Sequence, residues 1–179
     1  MVLSLLQKRR SIRQFHDRPI EEEKIGKLVE ALLRSPSSRG FNPWDFIVVD
    51  DRELIRKLSR SKAHGSEFLA RAPLAVVLTG NPRRSDVWIE DCSIASIILQ
   101  LAAESLGLGS CWVQVRLRLH RDGRTSEDYL KSALNLPDGQ RILAVVGIGY
   151  PAEEKPGHPL DSLEWQKVHR NRFGTPWVR

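Results

Sequence analysis

SDVWIEDCSIASIILQLAAESLGLGSCWVQV, residues 85–115, reads as a helix followed by a buried strand, and the rest of the chain arranges itself around it. Ile94, Ala95, Ile97, Ile98, Leu99, Leu101, Ala102 and Ala103 leave nearly every side of the C-terminal half apolar. A helix without a wet face is a buried helix. Asp86 is placed to cap its N-terminus, Glu90 and Asp91 lie near the positive end of the dipole, and Gly107 supplies the left-handed residue that ends it. The segment has the length of a membrane span, about 20 residues, but Glu90, Asp91, Gln100 and Glu104 interrupt it. The expectation is the core helix of a soluble domain, with a strand over Ser110–Val115.

Working outward, PLAVVLTG (73–80) and RILAVVGIG (141–149) have the continuous apolar character of central strands, and Asp45–Asp50 reads as a further strand with Phe46–Val49 buried. A helix opens at Glu21-Glu22-Glu23 with Ile25, Leu28, Val29, Leu32 and Leu33 on its apolar face, and Pro36 stops it. Residues 51–61 form another helix, 62–72 a polar connection with one helical turn, and 2–10 a short helix. Thr125-Ser126-Glu127-Asp128 fits a capping box ahead of Leu130, Ala133 and Leu134. Strands and helices alternate irregularly, which points to an α+β or mixed three-layer arrangement rather than a doubly wound sheet. From Tyr150 onward Pro151, Pro156, Pro159 and Pro176 punctuate a polar tail carrying Trp165, Phe173 and Trp177. Such a tail packs on a surface, of its own domain or of a partner.

At 179 residues, 28% charged and 41% hydrophobic, the composition is that of one globular domain. Val2-Leu3-Ser4-Leu5-Leu6 precedes Lys8-Arg9-Arg10 rather than following a charge, the reverse of a signal peptide, so a cytoplasmic location is expected. Cys92 and Cys111 show no metal or disulfide spacing and read as small buried residues, and the five histidines form no HxxxH pair, so no metal is expected. A net charge of +6 fits nucleic acid, an anionic surface or a phosphorylated cofactor. Arg116, Arg118, His120, Arg121 and Arg124 alternate with Val115, Leu117 and Leu119, the period of an extended segment with a solvated basic face.

Three features carry chemistry. Arg9-Arg10-Ser11-Ile12-Arg13 offers three guanidinium forks and a hydroxyl suited to phosphate, or equally a solvated basic face. The loop Pro36-Ser37-Ser38-Arg39-Gly40-Phe41-Asn42-Pro43-Trp44 has small residues that let backbone approach a ligand, with Trp44 either a ring platform or a core residue. Gly107-Leu108-Gly109-Ser110 feeds the strand, but neither it nor Gly147-Ile148-Gly149 completes GxGxxG, and GxxxxGK[ST] and GxSxG do not occur. With no catalytic carboxylate pair or triad order to single out, an enzyme of this sequence would leave the hard step to a cofactor.

RRSIRQF, SPSSRGFNPWDFIVV, APLAVVLTG, WIEDCSIASIILQLAAESLGLGSCWV and VVGIGYPAE, in this order, resemble the nitroreductase-like family of FMN-dependent oxidoreductases over about residues 7–155. The resemblance implies a three-layer α-β-α fold of the α+β class with a central mixed, mainly antiparallel sheet. It implies an FMN-binding domain over 1–150 and a C-terminal extension over 151–179 that wraps the partner subunit of a homodimer, with the core helix in the interface. Arg9, Arg10 and Ser11 would hold the FMN phosphate and Arg13 would face the N1/O2 side of the ring. Pro36, Ser37, Ser38 and Gly40 would reach the flavin from the other subunit. Val113, Gln114 and Val115 would pack near the ring and offer an N–H to N5 or O4. Gly40 and Asn42 stand where many members have Asn and Gln, so the Asn contact to the ring is lost or replaced by main chain. Gln114 replaces a frequent acidic residue, and Lys155 is the tail's candidate for the phosphate in the absence of a Lys-x-Arg pair.

The implied activity is that of an NAD(P)H oxidoreductase passing hydride through flavin N5 to a planar acceptor, a nitroaromatic or quinone, by a ping-pong cycle, with neither nucleic acid nor membrane as partner. The alternatives are a specialised dehydrogenase or reductive dehalogenase, for which residues 60–68 or 116–124 would form a substrate lid, and a non-catalytic flavin- or polyanion-binding module.

Overall fold

The computed structural model describes residues 2–178. In chain order it contains α1 (Val2–Lys8), α2 (Glu22–Leu33), β1 (Trp44–Val49), α3 (Arg52–Ser59), β2 (Leu74–Gly80), α4 (Trp88–Ser105), β3 (Gly109–Gln114), α5 (Ser126–Leu134) and β4 (Arg141–Gly149), with short 3-10 turns at Ser38–Gly40 and Glu67–Arg71. The four strands form one sheet in the order β1-β2-β4-β3, every pair antiparallel. Its parallel component is a single bridge from Ser11 to Ser110.

β2 and β4 are central and buried along nearly their whole length, which is why their sequences lack alternation. One sheet face carries Leu74, Val76, Leu78, Val146 and Ile148 against α2 and α4. The other carries Ala75, Val77, Val113 and Val145 against α3, α5 and the 67–71 turn. The layers are therefore helix, sheet, helix.

α4 starts at Trp88, with Val87 at the cap position and no side-chain cap; Asp86 does not fill that role. The carboxylate that matters there is Asp91, buried at the first turn. The other end follows the expectation: Leu108 N–H donates to Ala103 C=O (2.9 Å) and Gly107 N–H to Glu104 C=O (3.1 Å), with Gly107 at φ +73°. These are the two bonds of a Schellman stop, and the buried Leu108 closes it. Within one chain α4 is not buried all round. Ala95, Leu99 and Ala103 face the core, while Ile94 and Ile97 are 40% and 38% exposed.

Thr125 caps α5 by accepting from Asp128 N–H, and Glu127 receives both Arg141 and the Ile142 N–H, tying α5 to β4. β4 carries an extra residue where its register with β2 shifts between Leu78 and Thr79. The displaced Leu143 C=O accepts from both Val115 and Arg116 N–H, which ends β3 immediately after Gln114. Beyond β4 the chain runs over the surface and closes in a small hairpin with a bridge between His169 and Pro176; Phe173 is 92% exposed. Among the described residues no helix is long and apolar enough to cross a membrane.

Candidate functional site

β3 is an edge strand, and the candidate residues meet along its open side. Val115 N–H is bonded inward to Leu143, whereas Ser110 C=O accepts outward from Ile12 N–H (3.0 Å). Antiparallel pairing alternates strictly, so the backbone groups of Cys111 and Val113 point to β4 and those of Gln114 point to the open edge. Of the three strand candidates, Gln114 alone thus presents an N–H outward; Val113 and Val115 are core residues at 1% and 0% exposure. The Gln114 side chain is held in the strand's own plane of contacts, accepting from Trp112 Nε1 (3.0 Å) and donating to Arg116 C=O (2.9 Å).

At the start of β3 the chain brings together Arg9, Ser11, Arg13 and Lys155. All four act on the Cys111 thiol: burial pushes it up, and the charges of Arg13, Lys155 and Arg9 and a hydrogen bond from Ser11 oppose that rise. Close packing makes this possible, because a Cβ on Gly109 would lie 2.8 Å from Ile12 Cβ. Only a glycine lets the basic segment approach the strand so closely. Lys155 Nζ donates to Ser11 C=O (3.0 Å) and to Glu153 Oε1 (2.9 Å). Glu153 Oε1 also accepts from Arg13 N–H (2.6 Å) and Gln14 N–H (3.3 Å), and these bonds with Lys155 hold its carboxyl below the usual carboxylate range. Arg10 lies beside this group, on the same cleft as Ile12, Glu153 and Lys155. It donates to Pro156 C=O, and the cleft, of about 620 Å³, lies between the C-terminal end of α4 and the tail.

The Pro36–Gly40 loop sits elsewhere. Its backbone is left-handed at Arg39, Gly40 and Asn42 (φ +55°, +66° and +44°), which is costly for the two non-glycine residues. Ser37 Oγ donates to Asn42 Oδ1 (2.7 Å) and accepts Asn42 N–H (2.9 Å), so Asn42 braces the loop from within. Ser38 N–H donates to Asp91 Oδ1 (2.8 Å), while Asp91 Oδ2 takes the Ser85 hydroxyl (3.2 Å). Pro36, Ser38 and Gly40 remain exposed. Asp91 marks the first turn of α4, whereas Glu104, beside Arg10 and Ile12, marks its last. Thirteen residues of helix separate the two carboxylates, about 20 Å at 1.5 Å per residue. One chain does not bring the loop and the basic segment together.

Trp44 is buried and stacked on Phe46 (5.7 Å), a core residue rather than a platform. Burial, with Asp91 and Asp45 nearby, pushes the Cys92 thiol up to about 12. Residues 116–124 are not an alternating strand: Leu117 turns the chain at φ +58° and is 76% exposed, and Leu119 is 62% exposed. Segments 60–68 and 116–124 are joined, through Ala63 N–H to Leu119 C=O and Arg121 Nε to Ala63 C=O (both 3.1 Å). Glu153 and Asp91 were not legible as positioning groups. Glu153 lies two residues from Lys155 in a segment without periodicity, and Asp91 carried only the generic preference of a helix N-terminus for negative charge.

A three-layer α-β-α sheet of this order with a basic N-terminal segment against the edge strand defines the class, and the chain belongs to the Nitroreductase family, whose model matches residues 6–65 and 57–150. It is 44% identical to a solved FMN-dependent nitroreductase from Clostridium difficile, which superposes with a TM-score of 0.93 over 96% of this chain and 99% of that one. A protein of Archaeoglobus fulgidus provisionally named NADH dehydrogenase/NAD(P)H nitroreductase is 36% identical over 96% of this chain and 98% of its own length. The FMN reductase [NAD(P)H] of Bacillus subtilis is 27% identical over 96% of this chain and 75% of its own length.

Proposed function

We propose that this protein is an FMN-dependent NAD(P)H oxidoreductase whose flavin site is shared between two copies of the chain. The observation that carries the reading is the convergence of Arg9, Ser11, Arg13 and Lys155 at the start of the open edge of β3. Cations and a hydroxyl suit a phosphate monoester, and an N–H on an apolar strand edge suits the polar rim of a flat ring. The donor set therefore fits FMN, and relatives that carry FMN or FMN-reducing activity in their names agree.

Bound FMN supplies the hydride-carrying chemistry, from a reduced nicotinamide to a planar acceptor such as a nitroaromatic or quinone. The protein's own part is binding, orientation and charge. Arg9, Ser11 and Lys155 hold the phosphate, with Glu153 fixing both Lys155 and the backbone of Arg13. The Arg13 guanidinium supplies fixed positive charge beside the ring, favouring the more negative reduced form. Gln114 offers its N–H without adding a negative charge. Arg10, on the same cleft as Lys155, joins Arg9, Ser11 and Lys155 at the phosphate and holds the tail there through Pro156 C=O. Donor and acceptor then use the same open face in turn, a ping-pong order.

Sharing between subunits follows from the separation along α4, since the Pro36–Gly40 loop can serve the same ligand as Arg13 only from a second chain. The outward Ile94 and Ile97 give that chain an apolar surface, and the extension after β4, whose Phe173 and Trp177 are exposed, is the segment that embraces it in this reading.

The test is an absorbance spectrum of the purified protein before and after anaerobic NADH or NADPH, repeated on Arg13→Ala. Flavin bands that bleach with either nucleotide are expected in the parent protein, with weaker FMN retention and slower bleaching in the variant. A colourless protein that FMN does not reconstitute overturns the reading.

A further inference from the structure

The cations without a carboxylate partner fall into groups, and the proposed flavin site uses only one of them. Most helix cations are paired, as Lys27 with Glu23, Arg34 with Glu30 and Lys57 with Glu53. Arg56, Arg60, Lys62 and Arg118 have no ion pair among the described residues, and they cluster where α3 meets the joined 60–68 and 116–124 segments. Arg56, Arg60, His120 and Arg121 line a cleft of about 510 Å³ there. The one carboxylate in the lining, Glu67, is already committed to Gly65 N–H (2.6 Å) and to Arg121 (3.5 Å).

The neighbourhood is predominantly positive, with Glu67 opposing the like charge of Arg118 on Lys62. Burial and the like charge of Arg118 pull the Lys62 ammonium below its ordinary value. The 67–71 turn, whose Glu67 and Ala70 line the cleft, packs Phe68 against Ile12 and Phe15 of the basic segment, so the cleft borders the flavin site without sharing its side chains. Arg60 lies two residues from Lys62, about 7 Å of chain at most. The guanidinium forks of Arg56 and Arg60, which have no ion pair among the described residues, match a compact dianion, which they bind bidentately. A phosphate monoester carries about −1.5 to −2 at neutral pH, more than either phosphate of a diphosphate bridge.

We propose that this cleft takes the 2′-phosphate of the dinucleotide donor, so that NADPH is preferred over NADH. The proposal rests on the oxidoreductase reading above and names the donor for that same site. Its basis is the pair Arg56 and Arg60, left over once Arg121 is matched by Glu67: NADH has nothing to offer the cleft that compensates their mutual repulsion.

The experiment compares kcat/KM for NADPH and NADH in the parent protein, in Arg56→Ala/Arg60→Ala and in Arg60→Ala alone, the single change at an exposed helix end guarding against a folding defect. Calorimetric titration with 2′,5′-ADP against 5′-AMP, which lacks only the 2′-phosphate, gives a readout independent of turnover. The expected result is a preference for NADPH and for 2′,5′-ADP of about tenfold or more, which is 1.4 kcal/mol. In the double variant it collapses to near parity through the KM for NADPH, with NADH unchanged. Rising salt should erode the NADPH figure more than the NADH figure. Equal use of the two donors by the parent protein, or a preference untouched in both variants, overturns the proposal, as does binding of a duplex oligonucleotide where 2′,5′-ADP does not bind. If neither nucleotide bleaches a flavin, the oxidoreductase reading fails separately, and the comparison of 2′,5′-ADP with 5′-AMP still decides whether the cleft recognises the phosphate.

Discussion

The two ends of α4 are built on opposite plans. At the C-terminal end, beside the Schellman stop, the basic segment is stapled to β3 by backbone bonds and to the tail by Glu153 and Lys155, so many weak ties share the task. At the N-terminal end an exposed loop with three left-handed residues hangs on one buried anchor, Asp91, supplemented by a long, exposed contact from Arg84 to Phe41 C=O (3.4 Å). Redundancy suits the end that must gather like charges against their repulsion. The single buried anchor suits a loop that must present backbone to a ligand outside its own chain. The difference also explains why the ends cannot cooperate within one chain: the rigid helix between them sets their separation.

The sharpest way to break this picture is to keep the two ends apart. Ile94→Lys/Ile97→Lys places two charges on the outward face of α4 and should yield a monomer in sedimentation velocity that retains FMN at least about tenfold less well. A variant that stays dimeric, or a monomer with undiminished flavin, shows that the ends do not meet across an interface.

A smaller effect is expected from the single buried anchor. Asp91→Ala strands the Ser38 N–H and the Ser85 hydroxyl, a loss of about 1.5–3 kcal/mol for bonds to a charged acceptor, visible in chemical denaturation and in FMN affinity. Asp91→Asn keeps one carbonyl oxygen for Ser38 and should recover part of both. Equal losses in the two variants would mean that charge rather than hydrogen bonding holds the loop.

The smallest effect belongs to the redundant end. Glu153 has a folded pKa below its ordinary 4.5, so its contribution is present above that value and is lost as pH falls through the lowered folded value. The protection of the Arg13 and Gln14 amides, measured as exchange relative to the unprotected rate at each pH, should therefore fall on acidification through that range in the parent protein and stay flat in Glu153→Gln. A parent profile without that acid limb removes Glu153 from the clamp.

The elements that can be read locally are those whose signal is local. Fully apolar runs mark β2 and β4 because both faces of a central strand are covered, and Thr125 with Asp128 marks the start of α5 because the capping bonds lie within one turn. The basic segment, the serine loop and the Gly107 stop are equally legible, since each depends on residue type and short spacing. Asp86 misleads because several acidic residues compete for one helix start and only packing chooses among them. The apolar circumference of α4 states that all its sides are to be covered, but not by what; the fold covers one side and leaves Ile94 and Ile97 outward.

The sequence by itself determines the strands, the helices and the inventory of cations, because periodicity, capping and charge are properties of neighbours along the chain. Tertiary structure alone decides which cations meet. It brings Arg10 and Lys155 onto one cleft from opposite ends of the chain, leaves the Gln114 N–H on the open edge through the alternation of the β3–β4 ladder, and joins Ala63 to Leu119 across more than fifty residues. Each of these depends on which strand lies at the sheet edge and on where the register shifts, and long-range pairing of that kind leaves no local trace in the chain.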